Sequence, residues 1–222
     1  MKSRKLIRTH LLALALVGAL ACPQIARAAG GDAAIAEELF TDAKRLLDQG
    51  DTAHACPKFA ESLRLDPTLG TRLNLAHCYE VAGKTASAWG EYKEVLRQAN
   101  ATNDAKRAEI AQDHITQVEA KLSRVTLRSA TVDGVAFKLD GAALQAAVVG
   151  TPFPVDPGDH DIEATAPAKK TYKASFHVDA QMSTIVDVPA LEDAPVAPPV
   201  VSTSRDTNLP DQPSSGSNTK RT

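Results

Sequence analysis

The amino-acid sequence predicts an α+β protein of two domains, in which helices come first and a small antiparallel β-sandwich follows. Before Ser123, apolar residues recur every three or four positions, which is the period of an amphipathic helix. Beyond Ser123, apolar and polar residues alternate, which is typical of half-buried antiparallel strands. Within the helical part, a pattern of small and apolar residues repeats at an offset of 33 positions. A fixed period of this size indicates stacked supersecondary units.

The repeat rests on six matched pairs of residues. They are Ala43 with Ala76, Leu46 with Tyr79, Gly50 with Gly83, Ala55 with Ala88, Phe59 with Tyr92, and Leu63 with Leu96. In each copy the glycine separates two segments of helical length, which predicts a helical hairpin. The expected helices cover about residues 32–48, 52–66, 71–81 and 85–99. A fifth helix, over 103–123, has one apolar stripe and one polar face, as expected of a helix that caps a repeat stack.

Residues 36–102 resemble the tetratricopeptide repeat (TPR). The first copy, 36–68, supplies the motif's small and large positions, its glycine turn and its closing proline, Pro67. The second copy, 69–102, has Asn100 where the motif would end in proline. Together with the capping helix, the resemblance implies a TPR-like helical domain over residues 29–123. An unrelated helical bundle is the alternative fold for the same pattern.

Residues 124–190 carry the β pattern. Alternating segments occur at 125–128, 135–139, 159–166 and 172–178, and Asp-Gly or Pro-Gly pairs at 133–134, 140–141 and 157–158 supply turns. The stretches 135–141 and 157–162 resemble a PEGA-type domain, an extracytoplasmic β-module, although the four-letter motif that names it is absent. The resemblance implies a small PEGA-like β-sandwich.

The first 28 residues have the features of a secretory signal peptide. A basic head precedes an apolar run, Leu11–Ala21, which is shorter than the ~20 residues that span a bilayer. Ala26-Arg27-Ala28 then offers a small-x-small cleavage site, so we expect cleavage after Ala28 and export to the periplasm or cell surface. Lipidation at Cys22 is the alternative, but the large and small residues before this cysteine stand in swapped order. Residues 191–222 are rich in proline and serine and are expected to be a disordered tail.

Charge and hydropathy exclude several classes of partner. The leader holds five of the 25 basic residues and none of the 27 acidic ones, so the remaining chain has 20 basic residues and a net charge of −7. Such a chain is not suited to nucleic acid or anionic lipid as its main partner. After the leader, no stretch approaches ~20 apolar residues, so we expect no transmembrane segment in the mature chain.

The sequence contains no recognisable catalytic arrangement. It lacks the Gly-x-Ser-x-Gly elbow and the paired-histidine helix of metalloproteases. His54 with Cys56, and His77 with Cys78, are too closely spaced on a helix for both side chains to reach one ion, because helical ligand pairs favour spacings of three or four. We therefore expect no metal or cofactor. His160 falls on the apolar face of its strand and is interpreted as a partly buried structural histidine.

The TPR resemblance also implies a binding surface. In this family, peptides usually bind a concave face built from the first helix of each hairpin. Matched by position, the groove residues here are Phe40, Lys44, Leu73, Asn74 and His77, which we call the predicted groove. Lys44 and Asn74 could hold a carboxylate or a peptide backbone group. The alternative for these residues is an ordinary solvated face.

The expected function is that of a non-enzymatic interaction module of the cell envelope, an adaptor that binds a protein or peptide segment. Two alternatives stay open at this level. In the first, the β-domain binds a wall polymer or glycan and the repeats only space it from its surroundings. In the second, the chain is a hydrolase with an unrecognised site.

Cys56 and Cys78 are the cysteines that follow the leader, and their positions predict a disulfide. The second and third helices form an antiparallel pair around the turn at Pro67 and Thr68, so residues at equal height have numbers that sum to about 135. The two cysteines sum to 134 and lie beside packed positions of their helices. Export places them in an oxidising compartment. Two buried thiols that behave as small hydrophobic groups are the alternative.

Overall fold

A computed structural model describes residues 29–195 of the chain. The predicted signal peptide, including the alternative lipidation site at Cys22, and residues 196–222 of the predicted tail lie outside the described residues. None of the helices found between residues 29 and 195 has the length and apolar character needed to cross a membrane.

Five α-helices occupy the first part of the described chain. They are α1 (Ala29–Asp48), α2 (Thr52–Leu65), α3 (Leu69–Val81), α4 (Thr85–Thr102) and α5 (Ala105–Glu119). Gly50 and Gly83 follow α1 and α3 with φ angles of +78° and +75°, the left-handed conformation that ends a helix and that glycine adopts without strain. The first four helices therefore follow the predicted spans closely.

The fifth helix is shorter than the span of 103–123 that its apolar stripe predicted. It ends at Glu119, and Ser123, the expected last residue, begins the first strand. The Ser123 side chain is fully buried, where its hydroxyl donates to the Asp179 carbonyl oxygen and accepts from the Gln181 amide. Leu122 belongs to the helical core although it lies beyond the helix, which explains why the stripe seemed to continue.

The helices enclose two hydrophobic clusters. One centres on Phe59 and the other on Tyr92, and both rings are fully buried. Residues 33 positions apart occupy equivalent places: Ala43 and Ala76 are fully buried, as are Ala55 and Ala88. Small side chains at these four positions let neighbouring helices approach each other closely.

The predicted disulfide is confirmed: Cys56 of α2 and Cys78 of α3 are bonded, with Cα atoms 5.6 Å apart. Both residues are buried in the Phe59 cluster. The bond joins the helical segment before the Pro67 turn to the one after it, and the distance between the two Cα atoms lies within the usual range for a disulfide.

The remainder of the described chain is β structure. Its strands are β1 (Ser123–Ser129), β2 (Ala136–Leu139), β3 (Ala142–Leu144), β4 (Phe153–Val155), β5 (Gly158–Thr165), β6 (Tyr172–Val178) and β7 (Ser183–Val188). Among residues 123–188, one sheet has the order β4-β1-β7 and another the order β3-β2-β5-β6. The predicted turn at Asp140 and Gly141 joins β2 to β3, with φ angles of +49° and +80°, as a tight two-residue hairpin turn requires.

The chain divides into two compact units. The first contains the described residues up to Thr126 together with residues 152–159 and 177–184, and the second contains residues 127–151, 160–176 and 185 onward. The second unit buries Leu127, Phe137, Ile162 and Ala164. At its end, Lys169 forms a β-bridge with Asp193, so the first residues of the predicted tail pair with an earlier segment.

Within the first unit, Asp156 lies at the N-terminus of α4. Its carboxylate accepts from the Ser87 amide at 2.9 Å and from the Ser87 hydroxyl at 2.6 Å. Lys84, the residue that precedes α4, provides no side-chain cap. A carboxylate from 69 residues later along the chain therefore satisfies an amide that has no partner inside the helix.

Candidate functional site

The two apolar members of the predicted groove are half-buried and pack into the helical core. The Phe40 ring contacts the Phe59 ring edge to face, with centroids 5.6 Å apart. Leu73 packs against the Tyr92 cluster. Phe40 and Leu73 thus belong to different hydrophobic clusters and anchor α1 and α3 respectively.

The polar members of the predicted groove lie nearer to solvent. Lys44 and His77 are exposed, on α1 and α3. Asn74 is half-buried and donates to the Gly70 carbonyl oxygen of the preceding turn at 2.9 Å. Asn74 and His77 are three residues apart on one helix, so they lie on the same side of α3.

A cluster beside His77, formed by Glu80, Tyr92 and His114, was not predicted from the sequence. We call it the His114 cluster. The Tyr92 hydroxyl donates to Glu80 Oε2 at 2.7 Å, and Nδ1 of His114 lies 2.8 Å from the same oxygen. The His114 ring stacks on the Tyr92 ring, with centroids 4.7 Å apart and planes 13° apart. Helical periodicity places His114 on the polar face of its helix and gives no sign of these contacts.

The protons of the His114 cluster follow from its geometry. Burial, together with the hydrogen bond to Glu80, raises the pKa of Tyr92 well above its usual range, so the hydroxyl stays protonated and donates. Glu80 Oε2 then accepts from both neighbours, so Nδ1 of His114 carries a hydrogen. The cluster fixes both the orientation of the His114 ring and its tautomer.

The second unit carries a polar cavity of about 460 Å³ on the face of its sheet. Glu163 lies there between two lysines, 2.9 Å from the Lys173 ammonium and 3.2 Å from that of Lys138. Hydrogen bonds from Lys173 and then Lys138 lower the pKa of Glu163. In the same cavity the Ser175 hydroxyl donates to Asp161 at 2.6 Å. The lining thus offers fixed donors and acceptors to a hydrophilic ligand.

The histidines of the strands are held by carboxylates. His160 keeps only 10% of its side chain exposed, bonds Asp140 through Nδ1 at 2.7 Å and stacks on Phe176, as the prediction of a structural histidine requires. His177 is more exposed, and its Nδ1 lies 2.6 Å from a carboxylate oxygen of Asp159. Between residues 29 and 195, no three His, Cys, Asp or Glu side chains are grouped so that they could hold a metal ion.

Comparison of the chain with models of known protein families gave no match, and comparison with curated proteins found no similar sequence.

Proposed function

We propose that this protein is a non-enzymatic interaction module of the cell envelope, in which TPR-like hairpins bind a peptide or protein segment and a PEGA-like β-sandwich follows. The observation that carries the proposal is the equivalence of positions 33 residues apart. Ala43 and Ala76 are both fully buried, and so are Phe59 and Tyr92. Stacked hairpins of equal geometry expose the first helix of each pair along one face, and this is how repeat proteins build extended binding surfaces.

The polar groups on α1 and α3 support a ligand that carries a carboxylate. Lys44 supplies an exposed ammonium, and His77 supplies an exposed imidazole on α3. The Asn74 amide is held by its bond to Gly70. These side chains are donors of the kind that bind a peptide carboxylate or backbone carbonyl.

The disulfide supports a location outside the cytoplasm. Disulfides persist in the periplasm and on cell surfaces and are rare in the reducing cytosol. The bond between Cys56 and Cys78 is therefore consistent with the export that the first 28 residues predict.

The test is a selection of random displayed peptides on the mature chain, followed by calorimetry with the selected synthetic peptides. We expect Lys44→Glu to weaken binding at least tenfold, because a repulsive charge replaces a donor, which corresponds to about 1.4 kcal/mol or more. Arg64→Glu is the matched control, because it makes the same charge change on α2, where Arg64 forms an ion pair with Glu61 of the preceding turn. Equal affinity of a selected peptide for Lys44→Glu and for the wild type would contradict the proposed groove.

A second candidate function is the binding of a wall polymer or glycan by the β region. The observation that favours it is the polar cavity around Asp161, Glu163 and Ser175, whose fixed donors and acceptors suit the hydroxyl groups of a sugar. Co-sedimentation of the mature chain with purified cell wall tests it. Here we expect Ser175→Ala combined with Asp161→Ala to reduce the bound fraction, while Lys44→Glu leaves it unchanged; the opposite pattern would count against this candidate.

A further inference from the structure

His77 and His114 lie ring against ring at the surface of the helical region. His77 is exposed on α3, and the two ring centroids are 6.2 Å apart, with planes 66° apart. His114 on α5 keeps 31% of its side chain exposed. Within the described residues, His114 forms its side-chain hydrogen bond to Glu80 through Nδ1, so its other ring nitrogen, Nε2, is available to a ligand.

The His114 cluster determines what Nε2 can bind. Because Nδ1 donates to Glu80, Nε2 of the neutral imidazole carries a lone pair. The Tyr92 ring behind the imidazole holds its orientation. A histidine whose other ring nitrogen donates to a carboxylate is the usual arrangement of a metal ligand, because the carboxylate fixes the tautomer and makes the ligand more basic.

We propose that His77 and His114 together bind a divalent transition-metal ion of the zinc or nickel type, with Glu80 as the carboxylate that orients His114. Imidazole nitrogen is a preferred ligand of these ions. Two imidazoles bound to one tetrahedral ion have ring centroids about 5 Å apart. The observed distance of 6.2 Å is slightly longer, and rotation of the exposed His77 side chain closes the difference.

The site supplies two ligands from the described residues, and the other coordination positions are left to water or to a group of a bound partner. This metal site does not depend on the proposed peptide binding, because the binding of an ion can be measured without a peptide. Cys78, the neighbour of His77, takes no part, because its sulfur is committed to the disulfide.

The chain provides a matched control in His54 on α2. Nδ1 of His54 also bonds a carboxylate, that of Asp51, at 2.8 Å, and its side chain is 74% exposed. His54 therefore has the carboxylate and the exposure of a ligand, but its ring contacts no second imidazole in the part of the chain that the structure describes.

The experiment is calorimetric titration of the mature, tag-free chain with ZnCl2 and separately with NiCl2. We expect one ion per chain, an affinity at least tenfold lower in His77→Gln and in His114→Gln, and an affinity ~10–100-fold lower in Glu80→Gln, the loss typical of a removed outer-shell carboxylate. His54→Gln should bind as the wild type does.

Absence of binding by the wild type, or an unchanged affinity in His77→Gln, would overturn the proposal. His77 is exposed, so His77→Gln keeps the fold and decides the matter even where His114→Gln or Glu80→Gln does not fold. Equal weakening in His54→Gln and His77→Gln would also overturn it, because exposed histidines would then bind ions singly.

Discussion

The helical pairs α1–α2 and α3–α4 share their apolar positions but satisfy their polar groups in different ways. Ala55 and Ala88 are both fully buried 33 residues apart, yet the residue before the second helix is Asp51 in one pair and Lys84 in the other. Asp51 accepts from the His54 amide at 3.2 Å, so the first pair caps its own second helix. The equivalent amide in α4 bonds to Asp156, which lies far along the chain. The first pair is locally complete, and the second depends on later segments.

The central aromatic residues show the same contrast. Phe59 is surrounded by apolar side chains and by Phe40. Tyr92, its equivalent, places a hydroxyl in the core, and Glu80 accepts from it beside His114 of α5. A buried hydroxyl without a partner is costly, so the tyrosine and Glu80 form one polar unit. The two helical pairs thus bury an aromatic ring at the same place, but only the ring of Tyr92 carries a polar group that needs a partner.

The largest expected effect comes from removing the Cys56–Cys78 disulfide, which links the first helical pair to the second. In Cys56→Ala combined with Cys78→Ala, the unfolded chain is no longer constrained by a loop between residues 22 positions apart. Chain-entropy arguments give a loss of about 3 kcal/mol in the free energy of unfolding. Urea denaturation measures it, with the wild type in reducing agent as the control. A double variant with the wild-type midpoint would show that the bond does not stabilise the pairs.

Exchange of the two aromatic residues tests whether their surroundings differ. Phe59→Tyr buries a hydroxyl among apolar side chains and should lower stability by about 1–3 kcal/mol. Tyr92→Phe removes the hydroxyl that donates to Glu80 and should lower the free energy of unfolding by about 1–2 kcal/mol. Urea denaturation of both variants gives the values. A neutral result for both would mean that the two positions are interchangeable.

The cap from Asp156 can be replaced by a local one. Asp156→Ala should destabilise the first unit by about 1 kcal/mol, because the Ser87 amide loses its acceptor. Adding Lys84→Asp gives α4 the same capping residue that Asp51 gives α2, so we expect it to restore much of the loss. Asp51→Ala is the matched control and should have a similar effect on α2. If Lys84→Asp restores nothing, Asp156 stabilises the unit by something other than capping.

Local patterns accounted for much of this fold. The spacing of Gly50 and Gly83 gave the first four helices, and antiparallel geometry gave the pairing of Cys56 with Cys78. The alternation of apolar and polar residues did not reveal three strands, β3, β4 and β7. Strands β3 and β4 have three residues each, which is too few for alternation to be recognised. In β7, Val186 and Val188 are buried and Ile185 is exposed, so an apolar residue on the outer face obscured the period.

The contacts that the sequence did not reveal join residues far apart in the chain. Glu80 and His114 are 34 positions apart, and Ser87 and Asp156 are 69 apart. Helical periodicity shows which side of its own helix a residue occupies, but not which helix packs beside that side. His114 therefore looked like an ordinary solvated residue.

The smallest expected effect concerns an ion pair that recurs in both helical pairs at the repeat offset. Arg64 pairs with Glu61 on α2, and Arg97 pairs with Glu94 on α4. Gln98 also donates to Glu94 at 2.6 Å, whereas the equivalent residue in the first pair is Leu65, which has no side-chain donor. Hydrogen bonds from Arg97 and then Gln98 lower the pKa of Glu94 to about 2, and the bond from Arg64 lowers that of Glu61.

NMR titration of the two carboxyl groups therefore should give the lower pKa for Glu94. Because its folded pKa is lowered, its contribution to stability is fully present above the ordinary glutamate value of 4.5 and is lost as the pH falls through about 2. The contribution is small, because the Arg97 side chain is largely in solvent and that of Glu94 is about one-third exposed. In Gln98→Leu, which copies the first pair, the pKa of Glu94 should rise towards that of Glu61 while that of Glu61 stays constant. Equal pKa values for Glu61 and Glu94 in the wild type would show that the hydrogen bond from Gln98 does not lower the pKa of Glu94.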